Sequence, residues 1–530
     1  MSRLRSMAVA MLLLQLLACH GERPAVMEPL KDAALSVSRG ELLDYATETA
    51  AGNPGATGDF SLSELTTRVP IGIEVKSSTS GYVRVNGQLI ATNVRTQVAV
   101  TSLEGGADIV IEHLDAAGAL VTQRVHTMPK AIPSYKVIGK TSEDGEIALT
   151  PGGEKLKSYL LLLDGSGKII FYRRSPDQQF SNFRKYDFGG KVFYTYISGV
   201  AILPLGYAEG KVTILDNNFV KVSVIDGVLP NAAKGRPLVQ SENHEFLLLG
   251  ENHYLVSGYY GHKVDGIPNA PAGVQLASSV LQEVKDGVVV FEWESTDHPE
   301  LYEQAEEGNT YSTTGWSDYV HFNSIEVDPR DGNFVASFRN LNTIMKIDRR
   351  TGQILWRFGG RADDFGLTPN QTPQGQHSAR ILADGSMIYF DNNTTCGGVV
   401  PKLPRFYTPN PQRGNLTACD ERDKNSRVVK VFLDESRHSV TSFQEWRFAN
   451  DAGAIAAKAG PYQFTSFRGS VQYMSNGHMF LGFGSNSPSE RDVMEWDPAT
   501  GRPVFELYFN FEGSIPAQAD VGSYRAWFSH

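Results

Sequence analysis

The feature that most constrains this chain is one phrase that recurs along it. DYVHFNSIEVDPRDGNFVASFRN, from Asp318 to Asn340, opens on a histidine, alternates, turns at an Asp-Gly and closes with an apolar strand. QHSARILADGSMIYFDN, from Gln376 to Asn392, keeps the same order, so His321 and His377 hold one place in two units. SENHEFLLLGENHYLVSGYYG, from Ser241 to Gly261, is a third copy led by His244. FRGSVQYMSNGHMFLGFGS, from Phe467 to Ser485, is a fourth, with Arg468 or Ser470 in the leading place. Asp-Gly and related dipeptides between apolar runs are hairpin signals. Short strands repeated in units of this size make propeller blades, and uneven spacing means loops inserted between constant cores.

Aromatic residues close the units: Trp293, Trp356 and Trp446, then the phrase TGRPVFELYF. They are expected to pack between neighbouring blades. Five nearly complete blades can be counted, plus two strands in SYLLLLDGSGKIIFYRR near Leu156, and the tail GSYRAWFSH can supply the strand that closes the ring. The expectation is an all-β chain with a six-bladed β-propeller over residues 156–530; five or seven blades are the neighbouring counts.

Ahead of the ring, residues 56–130 alternate apolar and polar, with a hairpin turn at Val85-Asn86-Gly87. They read as a small immunoglobulin-like β-sandwich. Residues 131–155 read as a linker. Residues 20–55 read as a tether with one short helix near Ala33 to Ala50. The first 19 residues carry Arg3 and Arg5, an apolar run from Met7 to Leu17, and the end Leu16-Leu17-Ala18-Cys19. That is a secretory signal of lipoprotein type, too short to span a bilayer, with Cys19 as the residue that takes the lipid. An ordinary cleaved signal is the alternative, and both imply export to the periplasm or an outer-membrane anchor.

Only three cysteines occur. With Cys19 set aside, Cys396 and Cys419 bracket a Pro-, Gly- and Asn-rich insertion, 396–419. In an oxidising compartment a disulfide stapling that loop is expected, against two free thiols. The net charge is −10 and no Lys/Arg run occurs, which argues against a nucleic-acid partner. Oligomeric state is left open.

In a propeller, equivalent innermost positions converge on the axis. His244, His321 and His377 should therefore meet there, with Arg339, which follows the strand NFVASF, close by. One strand histidine is usually structural. Three at equivalent places, out of 12 in the chain, point to a shared site. Imidazole can serve as nucleophile, acid–base or metal ligand. An arginine beside it favours an oxyanion, and sets itself against a dication, so zinc-dependent hydrolysis is the weaker alternative.

The phrase from Asp318 to Gly360 and the phrase from Gln376 to Asn392 resemble the arylsulfotransferase family of bacterial aryl-sulfate sulfotransferases. The resemblance is strong over Ser241 to Asn393 and architectural elsewhere. It implies a six-bladed propeller that moves a sulfuryl group from an aryl sulfate to a phenol, with no cofactor. It further implies that His377 is the transiently sulfated nucleophile. His321 and Arg339 would hold the sulfonate oxygens and protonate the leaving phenolate. His244 would be the remaining channel histidine and Asn323 a polar position beside them. Arg468 is a candidate anion contact, or else a surface or inter-blade arginine. After Asn392 the chain departs from the family's Gly-containing turn and enters the cysteine insertion. A non-catalytic envelope scaffold and a sulfate-ester hydrolase on the same site are the competing readings.

Overall fold

The computed structural model of the chain describes residues 135–530 except 154–157, 176–177, 203–205, 395–425, 449–462, 466, 485–490 and 510–520, together with strands between residues 35 and 127. Cys19 and the signal segment, and Cys396 and Cys419 with their insertion, lie outside the described residues.

Six sheets are arranged as the blades of one ring. Blade 2 is built from Gln179–Phe188, Lys191–Ile202, Tyr207–Asp216 and Lys221–Ile225. Blade 3 comprises Phe246–Gly250, His253–Val264, Val274–Lys285 and Val288–Glu294, and blade 4 comprises Phe322–Val327, Phe334–Phe338, Thr343–Ile347 and Ile354–Gly359. Blade 5 comprises His377–Ile381, Met387–Asp391, Arg427–Asp434 and Ser439–Arg447. Blades 1 and 6 carry the closure. The last strand, Gly522–Ser529, pairs antiparallel with Glu146–Gly152 and becomes the innermost strand of blade 1. At the other end, Lys136–Gly139 adds to the outer edge of blade 6 by pairing with Arg502–Tyr508. Both ends of the ring are thereby tied across the same seam. An open seam would leave two unpaired strand edges.

The closing strand is the one anticipated from GSYRAWFSH. The start of the ring differs from the expectation. The strands Lys136–Gly139 and Glu146–Gly152 lie in the stretch read as a linker, yet belong to blades 6 and 1. Their apolar content is low beside that of Tyr159–Asp164, which reads YLLLLD. The pairing partner, not the local pattern, makes them strands.

The core lies between blades. Strand faces meet as buried apolar layers, such as Leu255 and Leu281 of blade 3 against Phe322 and Phe338 of blade 4. The closing tryptophans sit where expected. The Trp293 ring lies 5.2 Å from Phe338 of the next blade. Trp356 Nε1 donates at 2.9 Å to Glu435, on the outer turn of blade 5.

Ahead of the ring, the strands pair into a four-stranded and a five-stranded sheet. The hairpin at Val85 closes as read, with Val85 opposite Gln88. Strands stand where the sequence suggests a helix near Ala33 to Ala50. Leu35–Val37 runs parallel to Phe60–Leu62, and Thr47–Gly52 pairs antiparallel with Thr122–Thr127. Tertiary pairing here overrides an alanine-rich helix propensity, which is a weak local preference.

Candidate active site

The innermost strands of blades 4, 5 and 6 start with a kink. His321, Ser378 and Arg468 have φ of +48°, +55° and +74°. The ladder slips at the first two places, between Phe322 and Ser324 and between His377 and Arg380. Left-handed backbone at non-glycine residues costs about 1–3 kcal/mol and persists where the surroundings enforce it. Here it takes the leading side chains out of the regular ladder at the end of the channel.

His244, His321 and His377 meet there, as their equivalent places required. All three are buried, at 1%, 7% and 2% exposure. The His244 and His321 rings are 4.9 Å apart, edge to face. His377 is close enough to both, and to Arg339, for their charges to bear on its protonation.

The three rings differ in what holds Nδ1. His244 Nδ1 is bonded to the Glu242 carboxylate, which also accepts the His244 backbone N–H at 2.8 Å. His321 Nδ1 is bonded to the Asp318 carboxylate, and its own N–H donates to that group at 3.0 Å. His377 has no carboxylate. Its Nδ1 lies 2.7 Å from Asn392 Oδ1 and 3.0 Å from the Gly375 carbonyl. The Asn392 amide cannot be reversed, because its Nδ2 donates to the Thr465 and Arg468 carbonyls, both at 2.9 Å. Both partners of His377 Nδ1 are therefore acceptors, and Nδ1 carries the proton. Nε2 is left with its lone pair, and it accepts the Arg468 backbone N–H at 3.3 Å.

Burial holds the His377 imidazole well below the ordinary histidine range, with Arg339 and His244 adding to the effect, so the ring is neutral near pH 7. Burial also lowers His244, against the opposing pull of Glu242. Arg339 stands in the short helical turn Arg339–Leu341 that follows the second strand of blade 4. Its Nη1 is bonded to Glu307 at 2.5 Å and to Asn340 Oδ1 at 2.8 Å. Among the described residues its other nitrogens have no partner, and they remain available to an anion.

Tyrosines wall the site. Tyr207 stacks on Tyr259 with ring centres 4.0 Å apart, and Tyr259 lies 6.3 Å from His321. Tyr524, on the closing strand, lies 5.7 Å from His244. Its hydroxyl is buried with no hydrogen-bond partner among the described residues.

Two further sequence candidates stand beside His377 or the residue before it. Asn323 is fully buried and spends its Nδ2 on the Gln376 carbonyl at 2.7 Å, tying blade 4 to the residue before His377. Arg468 meets His377 through its peptide, while its guanidinium lies 5.2 Å over the Phe467 ring. The sequence reading missed Glu242 and Asn392 as site residues. Both stood inside the quoted repeat phrases, Glu242 two residues before a leading histidine and Asn392 at the close of its phrase.

Next to the histidines, the axis is crossed by charge. Glu245 of blade 3 accepts from Arg380 of blade 5 at 2.6 Å and from Arg525 of blade 1 at 2.8 Å, with Arg184 of blade 2 at 3.9 Å. Trp527 lies under all three guanidiniums. Burial alone would raise the Glu245 carboxyl, and the arginines outweigh it and keep it low. Among the described residues no three histidine, cysteine or carboxylate side chains are placed so that they could hold one metal ion.

Fold and site together define a six-bladed propeller with a buried, nitrogen-rich cluster of side chains at its axis. The family described as Arylsulfotransferase (ASST) matches residues 140–525, well over half of the chain. The chain belongs to that family, and aryl sulfotransfer is the activity that membership supports. No curated protein matches. Solved structures similar to the chain include three at low identity. One is a protein of unknown function from Bacteroides caccae: 11% identity, 72% of this chain and 99% of that chain covered, TM-score 0.35. Another is the β-propeller domain of Myceliophteria thermophila Cps50 (Swd1): 10% identity, 71% and 90% covered, TM-score 0.33. A third is an auxiliary nutrient binding protein from Bacteroides ovatus: 8% identity, 83% and 82% covered, TM-score 0.31. Likenesses this distant carry no functional argument.

Proposed function

We propose that this protein transfers a sulfuryl group from an aryl sulfate to a phenol in two steps, through a sulfated His377. The observation that carries the reading is the tautomer of that residue. A buried neutral ring with its proton fixed at Nδ1 offers Nε2 as a nucleophile without first having to lose a proton.

In the first step the Nε2 lone pair attacks sulfur, the N–S bond forms and the bond from sulfur to the aryl oxygen breaks. The sulfur enters along the direction now occupied by the Arg468 N–H, so that long contact gives way. Charge spreads over the peripheral sulfonate oxygens. Arg339 stands beside His377 and supplies fixed donors for it, which need no reorganisation as the charge develops. His321, backed by Asp318, protonates the departing phenolate oxygen. His244, its Nδ1 bonded to Glu242, is its edge-to-face neighbour in the same site. In the second step the His321 imidazole, having given up its proton, accepts that of the acceptor phenol. The phenolate oxygen attacks sulfur, and the N–S electron pair returns to His377. Phosphoryl transfer obeys the same logic of positioning and charge stabilisation.

The Glu245–arginine cluster supports a single entrance. Donor product and acceptor would then use one path in turn, which fits a two-step exchange. We further propose export, with lipid on Cys19 as the membrane anchor and a Cys396–Cys419 disulfide in the insertion. Loss of labelled palmitate incorporation in Cys19→Ala tests the anchor. Alkylation of those two thiols without prior reduction would sink the disulfide.

The decisive experiment gives the protein 4-nitrophenyl sulfate with and without phenol. Release of 4-nitrophenol that requires phenol, yields phenyl sulfate and vanishes in His377→Asn is the expected result. Release at the same rate without phenol makes it a hydrolase. No turnover by folded protein over a range of aryl sulfates leaves a scaffold.

A further inference from the structure

The partners at Nδ1 separate the three histidines, and the separation is chemical. A carboxylate at Nδ1 stabilises the charged ring and suits a residue that picks up and returns protons. An amide oxygen orients the ring without adding charge. Building on the sulfohistidine reading, we propose that Asn392 is the positioning residue that selects His377 for sulfation. Its amide oxygen, clamped by the Thr465 and Arg468 carbonyls, fixes the proton at Nδ1 and cannot take it away.

Consider the sulfated ring. With sulfur on Nε2 and hydrogen on Nδ1, the imidazole carries a positive charge opposite its sulfonate. A ring in that state is a good leaving group, so the second step is fast. A carboxylate at the Asn392 position would accept or neutralise that proton and stabilise the intermediate. It would also stabilise the protonated resting ring, which has no lone pair for attack. Either effect slows turnover, and at His377 both are avoided by an amide. The same substitution logic explains why Glu242 and Asp318, at the corresponding atoms of the other two rings, are acids.

The clamp is built from three elements. Asn392 ends the second strand of blade 5. Its two Nδ2 acceptors come from the Thr465 to Arg468 segment that leads into blade 6. Ser426, before the third strand of blade 5, donates to both the Asn392 and Thr465 carbonyls at 3.2 and 3.1 Å. The charged and titratable groups facing His377 are Arg339 and His321 of blade 4 and His244 of blade 3, and each of them works against a proton on the ring. Blade 6 meets it with the Arg468 peptide, that residue's guanidinium being turned to Phe467 and near Tyr524. Replacing Asn392 by an acid keeps its outline, adds charge at His377 Nδ1 and gives up the two Nδ2 bonds to Thr465 and Arg468, so Asn392→Ala, which gives up the same bonds without adding charge, is its control.

The test compares wild type, His377→Asn and Asn392→Asp in the donor half-reaction across pH, with 4-nitrophenyl sulfate as probe and mass spectrometry of the intact enzyme. In Asn392→Asp the acid limb of kcat/KM should move up by about one pH unit or more, the scale set by a neighbouring carboxylate. Sulfated enzyme should persist at least about 10-fold longer before phenol discharges it. Asn392→Ala removes the oriented acceptor without adding charge. It should lower kcat about 10-fold with the pH profile in place, and it serves if the Asp variant does not fold. A wild type that works through His377 with an unchanged pH profile and intermediate lifetime in Asn392→Asp overturns this inference alone. Full activity in His377→Asn overturns the inference together with the reading beneath it.

Discussion

Two nitrogen-rich layers share the axis of this ring, and they are satisfied differently. In the arginine layer, Glu245 is bound by Arg380 and Arg525 and approached by Arg184, with Trp527 beneath. The one carboxylate is shared by arginines of three other blades and so ties four blades together. In the histidine layer, Nδ1 of each ring is bound by a side chain, and His377 Nε2 meets only a long backbone contact from Arg468. Arg339 there has donors to spare. A carboxylate bound from several blades holds a structure together, whereas an arginine with open donors beside a reactive ring recognises an outside charge. The same residue types at neighbouring levels of one channel thus serve structure and chemistry.

The comparison is sharpened by variants that should affect one layer and not the other. The largest effect is expected for His377→Asn: kcat should fall by on the order of 10³-fold or more, with the folded state unchanged in a melting curve, as for loss of a nucleophile. Conversely, Glu245→Ala leaves three buried guanidiniums without their carboxylate. It should destabilise the fold by about 3–5 kcal/mol in denaturant titration, the range for breaking a buried pair by removing one partner. A comparable loss in His377→Asn, or none in Glu245→Ala, would break the distinction between layers.

Arg339→Ala should come next, at about 10²-fold in kcat, as for removal of one donor from a developing oxyanion. Arg339→Lys should recover only part of that, because a lysine cannot offer paired donors. Steady-state rates with donor in excess check both.

The smallest effect concerns pH and stability. His244 and His377 are both held below their ordinary value, by burial first. In the unfolded chain they titrate at about 6.5. Below that pH the unfolded state gains protons that the native state refuses, so stability falls on acidification and is flat above about pH 7. The melting temperature should drop between about pH 6.5 and 5, and less steeply in His377→Asn. Equal slopes in both proteins would remove His377 from the account.

Much of this was legible in the chain. The ring, its closing strand and the convergence of His244, His321 and His377 follow from repeated phrases, because equivalent places in equivalent blades must meet at the axis. Arg339 was legible from its place after an apolar strand in the same unit. The strands at Lys136 and Glu146 were not, since each is made a strand by a partner near the far end of the chain. Asn323 entered as a polar position that the family resemblance implies. Its bond to the Gln376 carbonyl, which joins blade 4 to blade 5 beside His377, is a tertiary contact that the sequence does not show.

The sequence by itself determined a ring of repeated blades, the three imidazoles and their common level, because recurrence of one phrase carries that information, while the pairing of the chain's two ends completed the count at six. Only the tertiary structure decided how they differ. Whether Nδ1 meets Glu242, Asp318 or Asn392 depends on kinks and neighbouring segments that place one side-chain atom within hydrogen-bonding reach. A repeat makes the histidines equivalent in position, and the partner at a single ring atom makes them unequal in chemistry.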